Sequence, residues 1–102
     1  MSGIVDGMRA VHPGEVLRED YLTPLGLSVN ALAIAIDVPA TRIHEIVKER
    51  RSVTADTALR LARYFGGDAA SWLMLQANHD LKTLPNREDI ERRILAREEE
   101  GV

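Results

Sequence analysis

Two short amphipathic stretches follow one another with only Asp37, Val38 and Pro39 between them. In the first, Val29, Leu32, Ala33 and Ile36 recur at i, i+3, i+4 and i+7, the spacing of one apolar stripe on a helix. In the second, Ile43, Ile46 and Val47 form the buried side, and the helix runs to about Lys48. Pro39 suits the first turn of a helix, where no amide hydrogen is required, so the second helix starts as soon as the first stops. Helices this short draw their stability from packing rather than from propensity. The pair therefore has to be embedded in a larger helical body.

The rest of the chain supplies that body. Pro13, Gly14 and Glu15 mark the entry to a helix expected to run to about Leu22 and to stop at Thr23, Pro24, Leu25 and Gly26. Ser28 is the expected cap of the second helix. Thr54 caps a fourth, with Ala58, Leu61, Ala62 and Phe65 on one face, and Gly66 and Gly67 end it. Asp68 caps a fifth, which carries Trp72, Leu73, Leu75 and Gln76 and fades near Leu81. Asn86 and Asp89 resemble a capping pair for a last helix reaching about Glu99. Only Ile90, Ile94, Leu95 and Ala96 are available to pack it, so this segment lies lightly on the body or needs a partner chain. Leu and Ala supply most of the apolar residues, and aromatics are only 4% of the chain, which favours helix over strand. The expected fold is all-α, a five- to six-helix bundle, with residues 1–84 as one domain and 85–102 as an acidic helical extension.

Charge distribution narrows the function. The net charge is −3, unlike a protein that coats nucleic acid indiscriminately. Positive charge is nevertheless concentrated in residues 42–51, where Arg42, Lys48, Arg50 and Arg51 outnumber Glu45 and Glu49. The tail, ending in Glu98, Glu99 and Glu100, is acidic. No apolar run approaches the length of a membrane span, and Met1 to Met8 lacks the pattern of a secretory signal. The expectation is a cytoplasmic protein with no membrane partner. There is no cysteine, hence no disulfide, thiolate zinc site or cysteine nucleophile.

Two abutting helices within a helical body are the layout of a helix-turn-helix. The stretch Ser28 to Ile36 braces its successor, which then lies in a major groove wide enough for one α-helix. At about 100° per residue, burying Ile43, Ile46 and Val47 turns Thr41, Glu45 and Lys48 outward, with His44 beside them and Ala40 near the end that enters the groove first. Thr41 donates or accepts at a base edge, Glu45 accepts from a cytosine amino group, Lys48 reaches guanine or phosphate, and the Ala40 methyl meets a thymine methyl. Arg42, with Arg50 and Arg51 in the next loop, is placed for phosphates, which set register rather than sequence. Ser28 and Asn30 are further phosphate candidates. The alternative is that these residues form an ordinary solvated helix face, against which the tight turn and the basic loop both weigh.

Five pieces, in order, carry a family resemblance: His12-Pro13-Gly14-Glu15-Val16-Leu17, Val38-Pro39-Ala40-Thr41-Arg42-Ile43 with Glu45-Ile46-Val47, Thr54 to Leu61, Trp72-Leu73-Met74-Leu75-Gln76, and Asp80-Leu81. Together they resemble HigA-type antitoxins with an Xre-type, lambda-repressor-like helix-turn-helix. The resemblance implies a homodimer that represses its own operon at a palindromic operator and neutralises a RelE-like, mRNA-cleaving HigB toxin. Asp37 stands at a turn position where such proteins often have Gly, and Glu49 where a Gly-Lys-Arg loop usually begins. Asp tolerates left-handed backbone, whereas Glu49 adds an acid beside the expected phosphate contacts. An acidic surface would steer encounter with a basic toxin, and the candidates are Asp6, Glu15, Glu19 and Asp20 or the acidic last helix. Two-fold related half-sites favour a dimer, with the fifth and sixth helices as its interface; Trp72, Leu73 and Leu75 exceed what one face of a short helix requires, with core packing the first reading for Trp72.

Catalysis finds little support. His44 and Glu45 open a zinc-protease pattern, but Lys48 stands where the second histidine belongs. His12 and His79 are read as structural, and no phosphate loop, nucleophile elbow or dinucleotide fingerprint occurs. No cofactor or metal is expected. The remaining alternatives are a stand-alone helix-turn-helix repressor without a toxin and a helix pair that binds protein.

Overall fold

The computed structural model describes residues 9–97, all helical or loop, in six successive helices. Asp6 and Glu98 to Glu100 lie outside the described residues. Helix α1 covers residues 13–25 in three contiguous pieces, Pro13–Val16, a π-helical turn Leu17–Leu22, and Thr23–Leu25. It is followed by α2 (Val29–Ala35), α3 (Ala40–Val47), α4 (Ala55–Phe65), α5 (Ala69–Thr83) and α6 (Arg87–Arg93).

Helix α1 does not stop at Leu22 as expected. Proline lacks an amide hydrogen and its ring crowds the carbonyl four residues back. Here the wider π turn precedes Pro24, and the Thr23 amide donates to the Arg18 carbonyl five residues back. The helix thus continues to Leu25 and closes at Gly26, whose φ of 61° is left-handed, with the Leu27 amide on the Leu22 carbonyl at 3.0 Å.

Ser28, Thr54 and Asp68 cap α2, α4 and α5 by accepting from the amides of Ala31, Thr57 and Ser71. Leu17, Leu32, Ile43, Ile46, Ala58 and Leu61 are fully buried and draw α1 to α4 around one centre. Each buried Leu or Ile contributes roughly 1.5–3 kcal/mol relative to its exposed state. Tyr21 stacks obliquely on Phe65 and Trp72, with centroids 4.6 and 5.4 Å apart, joining α1, α4 and α5. Trp72 is a core residue of the protomer.

The last helix departs from expectation. It ends at Arg93 rather than near Glu99, and Asn86 makes no side-chain cap, because its backbone (φ −105°, ψ 23°) lies outside the extended region of a capping residue. Asp89 instead pairs with Arg92 and Arg93. No residue of α6 is buried, and Ile94 and Leu95 stand well exposed. Among the described residues, no helix is long and apolar enough to cross a membrane.

Candidate nucleic-acid interface

Helices α2 and α3 meet across Ile36 to Pro39. Asp37 adopts a left-handed φ of 60°, and the Val38 amide closes the end of α2 on the Ala33 carbonyl at 3.0 Å. This is the position at which the family resemblance expects Gly, and Asp is among the few residues that accept it readily. Helix α3 buries Ile43, Ile46 and Val47 and leaves Thr41, His44 and Lys48 exposed, with Ala40 and Glu45 partly covered. Arg50 and Arg51 follow in an exposed loop. The helix therefore presents its polar side as an open ridge with two cations at its exit.

Neighbouring helices grip this ridge. A Cβ on Gly14 would lie 1.8 Å from the Ile46 carbonyl oxygen, so α1 touches α3 backbone to backbone and tolerates no side chain there. The His12 ring is buried, and its Nδ1 accepts the Gly14 amide at 2.8 Å, capping α1. One turn along α1, Arg18 donates to the Val47 carbonyl and lies 3.7 Å from the Glu49 carboxylate. Its guanidinium also bonds Glu19 at 2.9 Å, and these carboxylates raise its pKa, the Glu19 hydrogen bond first. From α4, Arg60 donates to the carbonyls of Ile36 and Asp37 at 2.9 and 3.1 Å, holding the turn. Asp56 bridges Arg60 at 2.8 Å and Arg42 at 3.1 Å, and the Arg60 hydrogen bond leads the causes that lower its carboxyl pKa. The buried Gln76 accepts the Val53 amide at 2.8 Å, anchoring the loop that carries Arg50 and Arg51.

Ala40, Thr41, His44, Glu45 and Lys48 thus share the polar side of α3, and Arg50 and Arg51 stand exposed in the loop that follows it. Arg42 is different, since Asp56 already holds its guanidinium. The Ser28 hydroxyl is engaged by the Ala31 amide at 3.0 Å, while Asn30 is exposed. Glu49 takes a left-handed φ of 63°, which explains why a Gly suits that position, and its charge faces Arg18.

No protein-family model matches the chain. Virulence-associated protein I of Dichelobacter nodosus is 65% identical over 75 residues, covering 74% of this chain and 69% of that protein. Antitoxin HigA-1 of Vibrio cholerae is 33% identical over 79 residues, 78% of this chain and 74% of its own length. The solved structure of the Pseudomonas aeruginosa antitoxin HigA with the higBA promoter superposes with a TM-score of 0.82 at 42% identity, covering 85% of this chain and 97% of that one. The chain belongs to the HigA family of antitoxins.

Several residues that build the interface of this HigA-family chain escape a reading by helical face. Arg18, Asp56, Arg60 and Gln76 lie on helices outside the helix-turn-helix, and each reaches backbone or side chains far along the chain. The i, i+4 spacing of Asp56 and Arg60 was a visible signal of an ion pair, but not of the turn carbonyls beyond it. The HigA-like His12-Pro13-Gly14 piece acquires a physical meaning, as a buried cap and a close approach. His79 meets His12 edge-on at 4.8 Å, and among the described residues no group of three or more His, Asp or Glu is placed to hold a metal.

Proposed function

We propose that this HigA-family protein is an antitoxin and autorepressor: as a homodimer it binds a palindromic operator in its own promoter, and it neutralises a HigB-like ribonuclease toxin. The observation that carries the reading is the open polar side of α3, seated on a buried Ile43, Ile46 and Val47 and followed by the exposed Arg50 and Arg51. An α-helix so presented fits a major groove, and two copies related by a two-fold axis read two half-sites. Ala40, Thr41, His44, Glu45 and Lys48 are the base-facing residues, and Arg50, Arg51 and Asn30 meet phosphates. Ser28, whose hydroxyl accepts the Ala31 amide, keeps its own proton to donate to a phosphate, and Arg42, which gives Nη1 to Asp56, keeps its remaining N–H donors for one. The likeness to an antitoxin solved with its promoter supports the DNA half of the reading, and the kinship to antitoxins supports the toxin half. The place of action is the cytoplasm, no catalytic step or cofactor enters, and residues 85–102 form an extension distinct from the DNA-binding domain 1–84.

Fluorescence anisotropy with a duplex from the chain's own promoter, against a scrambled duplex of equal length, tests the first half. Preference for the promoter duplex is the expected result. Co-purification with the product of the adjacent gene tests the second, and its absence, with promoter binding intact, would favour a stand-alone repressor.

A further inference from the structure

We infer that Arg18 of α1 is a positioning residue for DNA recognition, one that seats the last turn of α3 and offsets part of the Glu49 charge without itself contacting DNA. The inference rests on the DNA-binding reading above. Three observations lead to it.

First, the C-terminal turn of any helix leaves carbonyls without helical partners, and their alignment sets where the following residues go. In α3 the Ile46 carbonyl accepts the Glu49 amide at 2.9 Å and the Glu45 carbonyl accepts the Arg50 amide at 2.8 Å, so the direction of the basic loop is set at this turn. The Val47 carbonyl takes its hydrogen bond from Arg18.

Second, Arg18 stands one helical turn beyond Gly14, whose backbone touches the Ile46 carbonyl. Two neighbouring carbonyls of α3 are thus held by two points on one face of α1, one by steric contact and one by a charged donor. A helix gripped at two adjacent points has little freedom to roll or withdraw.

Third, Glu49 occupies left-handed backbone at the exit of α3, just before Arg50 and Arg51. An uncompensated carboxylate there would oppose the phosphates that those arginines meet, within a Debye length of ~8–10 Å. The guanidinium of Arg18, which also holds Glu19 at 2.9 Å, lies 3.7 Å from that carboxylate and offsets part of its charge. Arg18 thereby makes tolerable an acid at a position suited to Gly.

The test uses the full chain and three variants, Arg18→Met, Glu49→Gly and the double substitution. Binding to the promoter duplex is measured across a salt series, and amide exchange is followed at Glu49 and Arg50. Met keeps the length and apolar stem of Arg, so the fold is retained. Arg18→Met is expected to weaken promoter binding about tenfold, the effect of losing one charged hydrogen bond at the helix end together with the exposure of the Glu49 charge. Exchange at Glu49 and Arg50 is expected to accelerate about tenfold while that of α5 stays constant. In the Glu49→Gly background the same substitution is expected to weaken binding only about threefold, because one of its two tasks is gone.

A salt slope reduced by ~0.9 when Arg18→Met is added to the Glu49→Gly background, where no Glu49 charge is left to repel the duplex, would make Arg18 a phosphate contact and overturn the positioning role. Equal losses in both backgrounds would overturn the compensation of Glu49. Unchanged exchange at Glu49 and Arg50 would overturn the grip on α3, whatever the DNA result. If the unsubstituted chain fails to prefer its promoter duplex, the DNA reading itself falls and the recognition role of Arg18 falls with it, while the exchange data separately decide whether Arg18 holds the helix end.

Discussion

Residues 28–54 and residues 84–97 are both short helix and loop, yet they are built on opposite principles. The first region is held by the body of the protein behind its open polar side: by the buried Ile43 and Ile46, by Gly14 and Arg18 of α1, by Arg60 and Asp56 of α4 and by Gln76 of α5. The second buries nothing, and its helix is held by pairs within itself, Arg87 with Glu91 and Asp89 with Arg92 and Arg93. Exposed pairs of that kind contribute little, about 0.3–0.5 kcal/mol each on a helix. The difference teaches where rigidity is spent: on the element that must match a fixed external geometry. The apolar residues Ile90, Ile94 and Leu95 stand exposed there.

The same truncation in the two regions gives the sharpest contrast. Ile46→Ala is expected to destabilise the protein by roughly 2–5 kcal/mol in urea denaturation, the cost of a cavity in a closed core. Ile94→Ala is expected to change the stability of the protomer by less than about 0.5 kcal/mol and to act instead on the concentration dependence of dimerisation by analytical ultracentrifugation. Equal losses in both would break the comparison.

On the held ridge, Thr41→Ala or Glu45→Ala is expected to relax the preference at individual bases by roughly 1–3 kcal/mol in competition binding. Arg50→Ala or Arg51→Ala is expected to weaken all duplexes alike and to lower the salt slope by about 0.9 per lost contact. Four variants with indistinguishable base preferences would show that α3 does not read the groove.

Glu49→Gly removes a side chain from left-handed backbone. It is expected to stabilise the fold by up to about 1 kcal/mol in thermal denaturation, less the loss of its contact with Arg18.

The smallest expected effect is one of pH. Burial, and after it the neighbouring His79, lower the pKa of His12, while Glu49 and Asp80 oppose them more weakly. The neutral form is also the one whose Nδ1 accepts the Gly14 amide. Between the lowered folded value and the unfolded value of about 6.5, the unfolded chain binds more protons, so stability rises with pH in that window. The contribution is present above about pH 6.5 and is lost as the pH falls toward the folded value. His12→Asn, which keeps a capping acceptor, is expected to flatten the slope of stability against pH just below that point.

Much of the fold was legible because helices announce themselves locally. Ser28, Thr54 and Asp68 cap where a short oxygen-bearing side chain precedes a periodic apolar run, and the buried face of α3 follows from the spacing of Ile43, Ile46 and Val47. The extension of α1 through Pro24 was not legible, since a π turn has no local sequence signature and proline ordinarily marks an end. Asn86 misled for the converse reason: the residue type was right for a cap, but the backbone did not present it.

Periodicity and helix-stop chemistry, both properties of neighbouring residues, were enough to place five to six helices, the break at Asp37 to Pro39 and the polar side of α3, though not the ends of α1 and α6. Which cations remain available to a ligand was settled only when the chain closed on itself. Arg42 and Arg18 are chemically equivalent to Arg50 and Arg51 in sequence, but folding brings Asp56, the Val47 carbonyl and Glu49 to the first two and leaves the others in solvent. Charge pairing over such separations depends on distance in space, and a linear order of residues carries no information about that distance until the core has formed.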